Sequence, residues 1–176
     1  MTGRTLALLG QTERLLLRGP QETDIPAIVA LWTDPQAMRH MGGPRDAAFI
    51  AEAFGEIIAD PEATLQIDGD RWWAVVEQAS GALVGLCSLL SKEVDGQAEI
   101  ELGYSFLPVY WGRGYATEAS RLVLAYAFED LALESVIALI HPENTASAAV
   151  ARKLGMALDK VVDRGGGALR EVWRIG

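Results

Sequence analysis

Apolar residues recur along this chain with two different periods, and the switches between them lay out its elements. Glu13 to Arg18 carries the run Leu15-Leu16-Leu17 and predicts a short strand. Asp24 stands ahead of Ile25, Ile28, Val29, Leu31 and Trp32, a helical spacing opened by an N-cap residue and an early proline. Ala47 to Ile58 predicts a second helix, because Phe49, Ile50, Ala53, Phe54, Ile57 and Ile58 make a wide apolar stripe. The short period then takes over. Trp72 to Glu77 and Ala82 to Leu90 read as strands of a hairpin around Gln78-Ala79-Ser80-Gly81, and Ala98 to Phe106 as the next strand. A long helix is expected from Ala116 to Leu131, with Ala119, Leu122, Val123 and Tyr126 at helical spacing. A strand over Ser135 to Ile140 and a helix over Thr145 to Leu154, ended by Gly155, follow. Strands over Ala157 to Val162 and Leu169 to Ile175 flank Gly165-Gly166-Gly167. Hairpins mixed with strand–helix–strand crossovers predict an α/β (α+β) architecture, a mixed sheet with helices on both faces.

Composition narrows the partners. A chain of 176 residues, half of them hydrophobic, is expected to form one domain, 1–176, with a real core. The net charge of -9 argues against a broad basic face for nucleic acid. It favours a cationic substrate such as an amine, or serves solubility alone. Cys87 is the only cysteine, so no intrachain disulfide can form, and its place in the apolar run Leu83 to Leu90 suits a small core residue. His40 and His141 are too far apart in sequence to suggest a zinc-ligand spacing, and no metal is expected. Leu6 to Leu9 is too short for a signal peptide or a membrane span, so no membrane role and a cytoplasmic location are expected.

The sharpest chemical feature is the passage from Tyr104 to Ala119, where a strand ends, two glycines follow and a helix begins. The first turn of a helix presents N–H groups without intrahelical acceptors, and glycines let such groups wrap a pyrophosphate. Arg113 would add a cation; a plain tight turn is the simpler reading. Neither a Gly-Lys-Ser/Thr ending nor a Gly-x-Gly-x-x-Gly fingerprint is present here. In the preceding strand, alternation puts Glu99, Glu101, Gly103 and Ser105 on one face and Ile100, Leu102, Tyr104 and Phe106 on the other. Two carboxylates on one strand face mean solvent, partner arginines or a cleft that handles an amine. Asn144 suits a helix N-cap. Ser147 shares a face with Val150, Ala151 and Leu154, so its hydroxyl either bonds back to the Glu143 carbonyl or faces a ligand. His141 is a second candidate base, or a packing residue.

Trp111 to Ala116 resembles motif A of the GNAT superfamily, Gln/Arg-x-x-Gly-x-Gly/Ala, with Gly114 and Ala116 at the small positions and Trp111 departing from it at the first. The wording Tyr110-Trp-Gly-Arg-Gly-Tyr-Ala-Thr-Glu-Ala119 is similar to the RimJ/RimL-type branch, the ribosomal-protein-alanine N-acetyltransferase-like enzymes. Thr12-Glu-Arg-Leu-Leu-Leu-Arg18, Ala98-Glu-Ile-Glu-Leu-Gly-Tyr104 and Glu143-Asn-Thr-Ala-Ser-Ala-Ala-Val-Ala-Arg-Lys-Leu-Gly-Met156 resemble its further segments, in order. The resemblance implies a mostly antiparallel sheet of about seven strands, splayed at its centre between two parallel strands.

It also implies an acetyl-CoA-dependent N-acetyltransferase without a metal. Gly112, Arg113, Gly114, Tyr115, Ala116 and Thr117 would hold the pyrophosphate, and main-chain groups near Tyr104, Ser105 and Phe106 the pantetheine arm. Asn144 would touch coenzyme A, and Ser147 would face the departing sulfur. Some family members carry a tyrosine acid where this chain has Ala151. Glu101 would accept the ammonium proton, with Glu99 (by a register change) and His141 as alternatives. The acceptor is an amine, on a small molecule or a protein N-terminus. Its pocket is expected between the first two helices and the hairpin around Gly165, where Trp32, Trp72, Trp73 and Tyr110 could line it. A homodimer is compatible with the branch, and a CoA-binding regulator without catalysis is the competing class.

Overall fold

Strand alternation decides which side layer each sheet residue meets, and the computed structural model, which describes residues 8–60 and 70–176, carries that rule through. In chain order its elements are β1 (Leu8–Gln11), β2 (Leu15–Arg18), α1 (Ile25–Thr33), α2 (Ala47–Ala59), β3 (Arg71–Glu77), β4 (Leu83–Val94), β5 (Gln97–Phe106), α3 (Tyr115–Ala125), β6 (Val136–Ile140), α4 (Thr145–Lys153), β7 (Ala157–Asp163) and β8 (Leu169–Ile175). They build an eight-stranded sheet in the order β1-β2-β3-β4-β5-β6-β8-β7. Every neighbouring pair is antiparallel except β5 and β6. The strand beyond the expected seven is β1; of the apolar stretch Leu6 to Leu9, Leu8 and Leu9 are described and open it, while Leu6 lies outside the described residues.

On one face Trp73, Val75, Cys87, Leu89, Leu102 and Phe106 pack against α3 and α4 through Ala119, Val123, Ala148 and Ala151. On the other, Ala74, Leu83 and Leu86 meet Ile28 and Leu31 of α1 and Ile50 and Phe54 of α2. Trp73 is fully buried, its ring edge-on to Tyr126 at 5.6 Å. Trp32 and Trp72 pack with the second cluster. Trp32, Trp72 and Trp73 are therefore spent on packing, and none of the three borders the central cleft described below. Cys87 is buried in the first cluster, and burial pushes its thiol up to about 12, so it stays an inert thiol.

Asp24 does not cap α1. A 3-10 turn over Glu22–Asp24 runs straight into the helix, and the Asp24 carboxylate instead takes Arg18 at 2.6 and 3.0 Å and the Gln21 N–H at 2.8 Å. Asp46 is the cap of its helix, accepting the Phe49 N–H at 2.9 Å at the start of α2. The long helix expected to Leu131 is α3 followed by a π turn over Tyr126–Asp130. No helix among the described residues is long and apolar enough to cross a membrane.

Candidate active site

β5 and β6 touch as strands at a single position, Glu101 opposite Ile137. Beyond it the two diverge, and a cleft opens between Leu102–Phe106 and Ala138–His141, closed by Asn144 and Ser147 of α4's first turn and by Ala37, His40 and Met41 from the turn after α1. The main-chain groups along this edge follow from pairing. The Leu107 N–H donates to the Val84 carbonyl at 3.0 Å, and β5 stays in unbroken register with β4. Odd-numbered residues of β5 thus bond to β4, and the main-chain groups of Tyr104 and Phe106 turn to the cleft. Ser105 lines the cleft with its main chain directed to β4. The Phe106 carbonyl is already taken, because the Trp111 indole donates to it at 2.7 Å. Trp111, the departure from motif A, is a strut that ties the glycine loop to the end of β5.

That loop opens α3. Gly114 has φ +81°, a left-handed conformation that suits glycine, and its carbonyl accepts the first helical bond, from the Glu118 N–H at 3.0 Å. The N–H groups of Tyr115, Ala116 and Thr117 are left without a helical acceptor. They face a cavity bordered by Gly112, Gly114, Ala116 and Thr117 on one side and by Ala146, Ala149, Val150 and Lys153 of α4 on the other. The cavity and the cleft meet at Phe106. Small side chains on α4, free N–H groups and the helix's positive end suit an elongated thiol ester with a pyrophosphate.

The loop is anchored from far away in the sequence. The Glu118 carboxylate takes Arg14 at 2.8 and 2.5 Å, the Thr12 hydroxyl at 2.5 Å and the Arg14 N–H at 3.1 Å, and Arg14 also reaches the Arg113 carbonyl at 3.0 Å. Burial alone would raise the Glu118 pKa; the bonds from Thr12 and Arg14 outweigh it and hold it below the ordinary value. Arg113 lies 3.7 Å from Glu77 and over the Tyr110 ring, and Tyr115 donates its hydroxyl to Glu77. Its charge is shared with Glu77 rather than left free for a phosphate. Lys153, read from the sequence only as part of a helix end, borders the cradle opposite α3.

The two carboxylates of β5 part company. Glu99 is clamped by Arg174 at 2.6 and 3.0 Å, with 9% of its side chain exposed. Glu101, 17% exposed, has Lys92 no nearer than 3.9 Å and lines the cleft. Burial raises the Glu101 pKa, and Lys92, a main-chain hydrogen bond at Leu139, Arg164 and Arg170 only partly offset it. Ser147 lines the same cleft; its hydroxyl makes no bond back to Glu143, while its N–H donates to Asn144 Oδ1 at 3.1 Å and its carbonyl accepts the Tyr104 hydroxyl at 2.9 Å. Asn144 is thus both helix cap and cleft wall.

His141 meets His40, ring centroids 5.1 Å apart. His40 is held below the ordinary histidine value by burial and by the charges of Arg39, His141 and Arg170. Together with Glu143 the two rings bring ligand atoms within 4.8 Å of one another. Ligands around a tetrahedral zinc sit about 3.4 Å apart, and His141 Nδ1 already accepts the Glu143 N–H at 3.2 Å.

Comparison with known proteins agrees with this geometry. Residues 14–157 match the family model described as Acetyltransferase (GNAT) domain. The uncharacterized protein YkkB of Bacillus subtilis (strain 168) is 30% identical over 152 residues, 86% of each chain. The crystal structure of an acetyltransferase from Agrobacterium tumefaciens str. C58 superposes with a TM-score of 0.77 at 28% identity, over 95% of this chain and 93% of that one. A spermidine N-acetyltransferase from Vibrio cholerae, solved in complex with CoA and spermine, shares the fold, with a TM-score of 0.72 at 19% identity over 93% and 94% of the two chains. The fold and the cleft define an acyltransferase. The chain belongs to the GNAT acetyltransferase family.

Proposed function

We propose that this chain, acting as one acyl-CoA N-acyltransferase domain in the cytoplasm, moves an acetyl group from acetyl-CoA to a primary amine by direct attack in a ternary complex. The amine is carried by a small molecule or a protein N-terminus. Among GNAT enzymes we place it in the RimJ/RimL-type branch, on the wording of the loop around Trp111. The observation that carries the proposal is the pairing of a half-buried carboxylate of raised pKa, Glu101, with a strand edge and a helix end that line two cavities sharing Phe106.

Acetyl-CoA supplies the thioester carbonyl that the amine attacks. The N–H groups of Gly112 to Thr117 would cradle the pyrophosphate, with Lys153 beside them. The main-chain groups of Tyr104 and the N–H of Phe106 would hold the pantetheine arm, and an N–H of this edge would polarise the carbonyl. An alkyl ammonium has a pKa near ~10 and must lose a proton before it attacks. Glu101 accepts that proton, directly or through a water. As the C–S bond breaks, Ser147 donates a proton to the leaving sulfur and regains one, through water, from the nitrogen that has formed the new C–N bond. The clamp of Glu99 on Arg174 supports Glu101 over Glu99 as the base. His141 is the second base candidate, with its Nδ1 already turned to the Glu143 N–H.

The test is mass spectrometry of the protein mixed with acetyl-CoA alone. No acetylated protein competent to pass the group to an amine is expected; trapping one would replace direct transfer with a covalent route.

A further inference from the structure

The chain carries 24 acidic side chains against 15 basic ones, yet an arginine, Arg170, is bonded to the main chain of a histidine that borders the cleft. Arg170 follows the Ile140–Glu171 pair of β6 and β8, which sets it beside His141. Its guanidinium donates to the carbonyls of Leu169 at 2.7 Å and His40 at 3.4 Å. Both histidines border the cleft that holds Glu101. The other half-buried arginines with a described role hold carboxylates: Arg18 takes Asp24 and Arg174 takes Glu99. No carboxylate of the described residues lies within ion-pair distance of Arg170. Glu171 is turned away, accepting from the Trp173 indole at 2.9 Å. Arg164, on the β7–β8 hairpin, spends one nitrogen on the Glu93 carbonyl and also has no described carboxylate. The charges of Arg164 and Arg170 are both felt at the Glu101 carboxyl.

A half-buried guanidinium without an anion keeps a desolvation cost that an incoming anion would relieve, and its planar fork suits a carboxylate. A polyamine offers Arg170 no anion, and a second ammonium placed beside that guanidinium would be repelled by it. We propose that Arg170 is the anion subsite of the acceptor, so that the amine taken by this cleft is of the amino-acid class. Its nitrogen goes to Glu101 and its carboxylate to Arg170. This rests on the acetyltransferase reading above, whose acceptor class it narrows.

The test is calorimetric titration of the CoA-saturated protein with paired amines that differ by a carboxylate: phenylalanine against phenethylamine and γ-aminobutyrate against propylamine, with spermidine alongside. The carboxylated member should bind about tenfold or more tightly. That ratio should fall to near one in Arg170→Gln, which keeps donor groups but loses the charge, and persist in part in Arg170→Lys, which separates lost charge from a damaged fold. Equal binding within each pair, tighter binding of spermidine, no binding of either member, or a preference that survives Arg170→Gln would each overturn the assignment while leaving CoA binding intact. Failure of the protein to bind CoA would sink the acetyltransferase reading instead. The pairs are then titrated into the protein alone, where a carboxylate preference keeps the subsite and its absence removes it.

Discussion

At the scale of the residue, Glu101 joins reactivity to a stability cost. Its pKa is raised mainly by burial, so the native state favours its protonated form more than the unfolded chain does. For such a group the stabilising contribution is present below the unfolded value and is lost as pH rises through the folded one; at neutral pH the ionised carboxylate weakens the fold. Glu101→Gln should therefore lower turnover by about 10²- to 10⁴-fold with acetyl-CoA affinity unchanged, and melt no lower than the parent protein. Unchanged turnover at neutral pH would remove Glu101 as the base. Because the base must be ionised, the acid limb of the rate profile should fall at a pH above the ordinary carboxylate value of 4.5. A limb at or below that value would contradict the raised pKa. Alternation placed Glu99 and Glu101 on one face from the sequence alone, but could not separate them. The separation comes from Arg174, 75 residues from Glu99, which no local pattern reveals.

At the scale of the element, the glycine loop and the start of α3 were legible because their signals are local: a helix start marked by glycine, with the positive φ of Gly114 matching. What holds the loop was not. Thr12 and Arg14 reach Glu118 across more than a hundred residues, and the Trp111 strut looked in sequence like a departure from the motif. Asp24 misled for a related reason, since a cap-competent residue found a better partner in Arg18. Glu118→Gln should loosen the cradle, weakening acetyl-CoA binding and costing about 1 kcal/mol of stability at neutral pH, a modest figure because Arg14 is well exposed. The Glu118 pKa lies below the ordinary value, so its contribution is present above 4.5 and fades as pH falls through the lower folded value. Urea titrations at neutral pH and below pH 4 check this: the gap between parent and variant should narrow in acid, and a constant gap would assign the loss to packing.

At the scale of the whole molecule, one parallel contact in an otherwise antiparallel sheet opens the candidate cleft. Helices on both faces and the order of elements could be read from periodicity, whereas the acceptor rim could not, because His40, His141 and Arg170 come together only when the turn after α1 folds over the far end of β8. The proposed ternary complex predicts that initial rates over varied acetyl-CoA and amine give intersecting double-reciprocal lines; parallel lines would point to an acyl-enzyme.

The measurement closest to the central claim is calorimetric titration of the protein with acetyl-CoA, repeated on Gly114→Asp. A side chain at this position meets only Arg14 at 3.6 Å, so space permits it, but φ +81° costs about 1–2 kcal/mol and the new carboxylate would repel the pyrophosphate that the proposal seats here. Micromolar binding by the parent protein, lost in a Gly114→Asp variant that still folds, is the expected result. A parent protein that binds neither acetyl-CoA nor CoA would contradict the claim and leave the loop as only a turn.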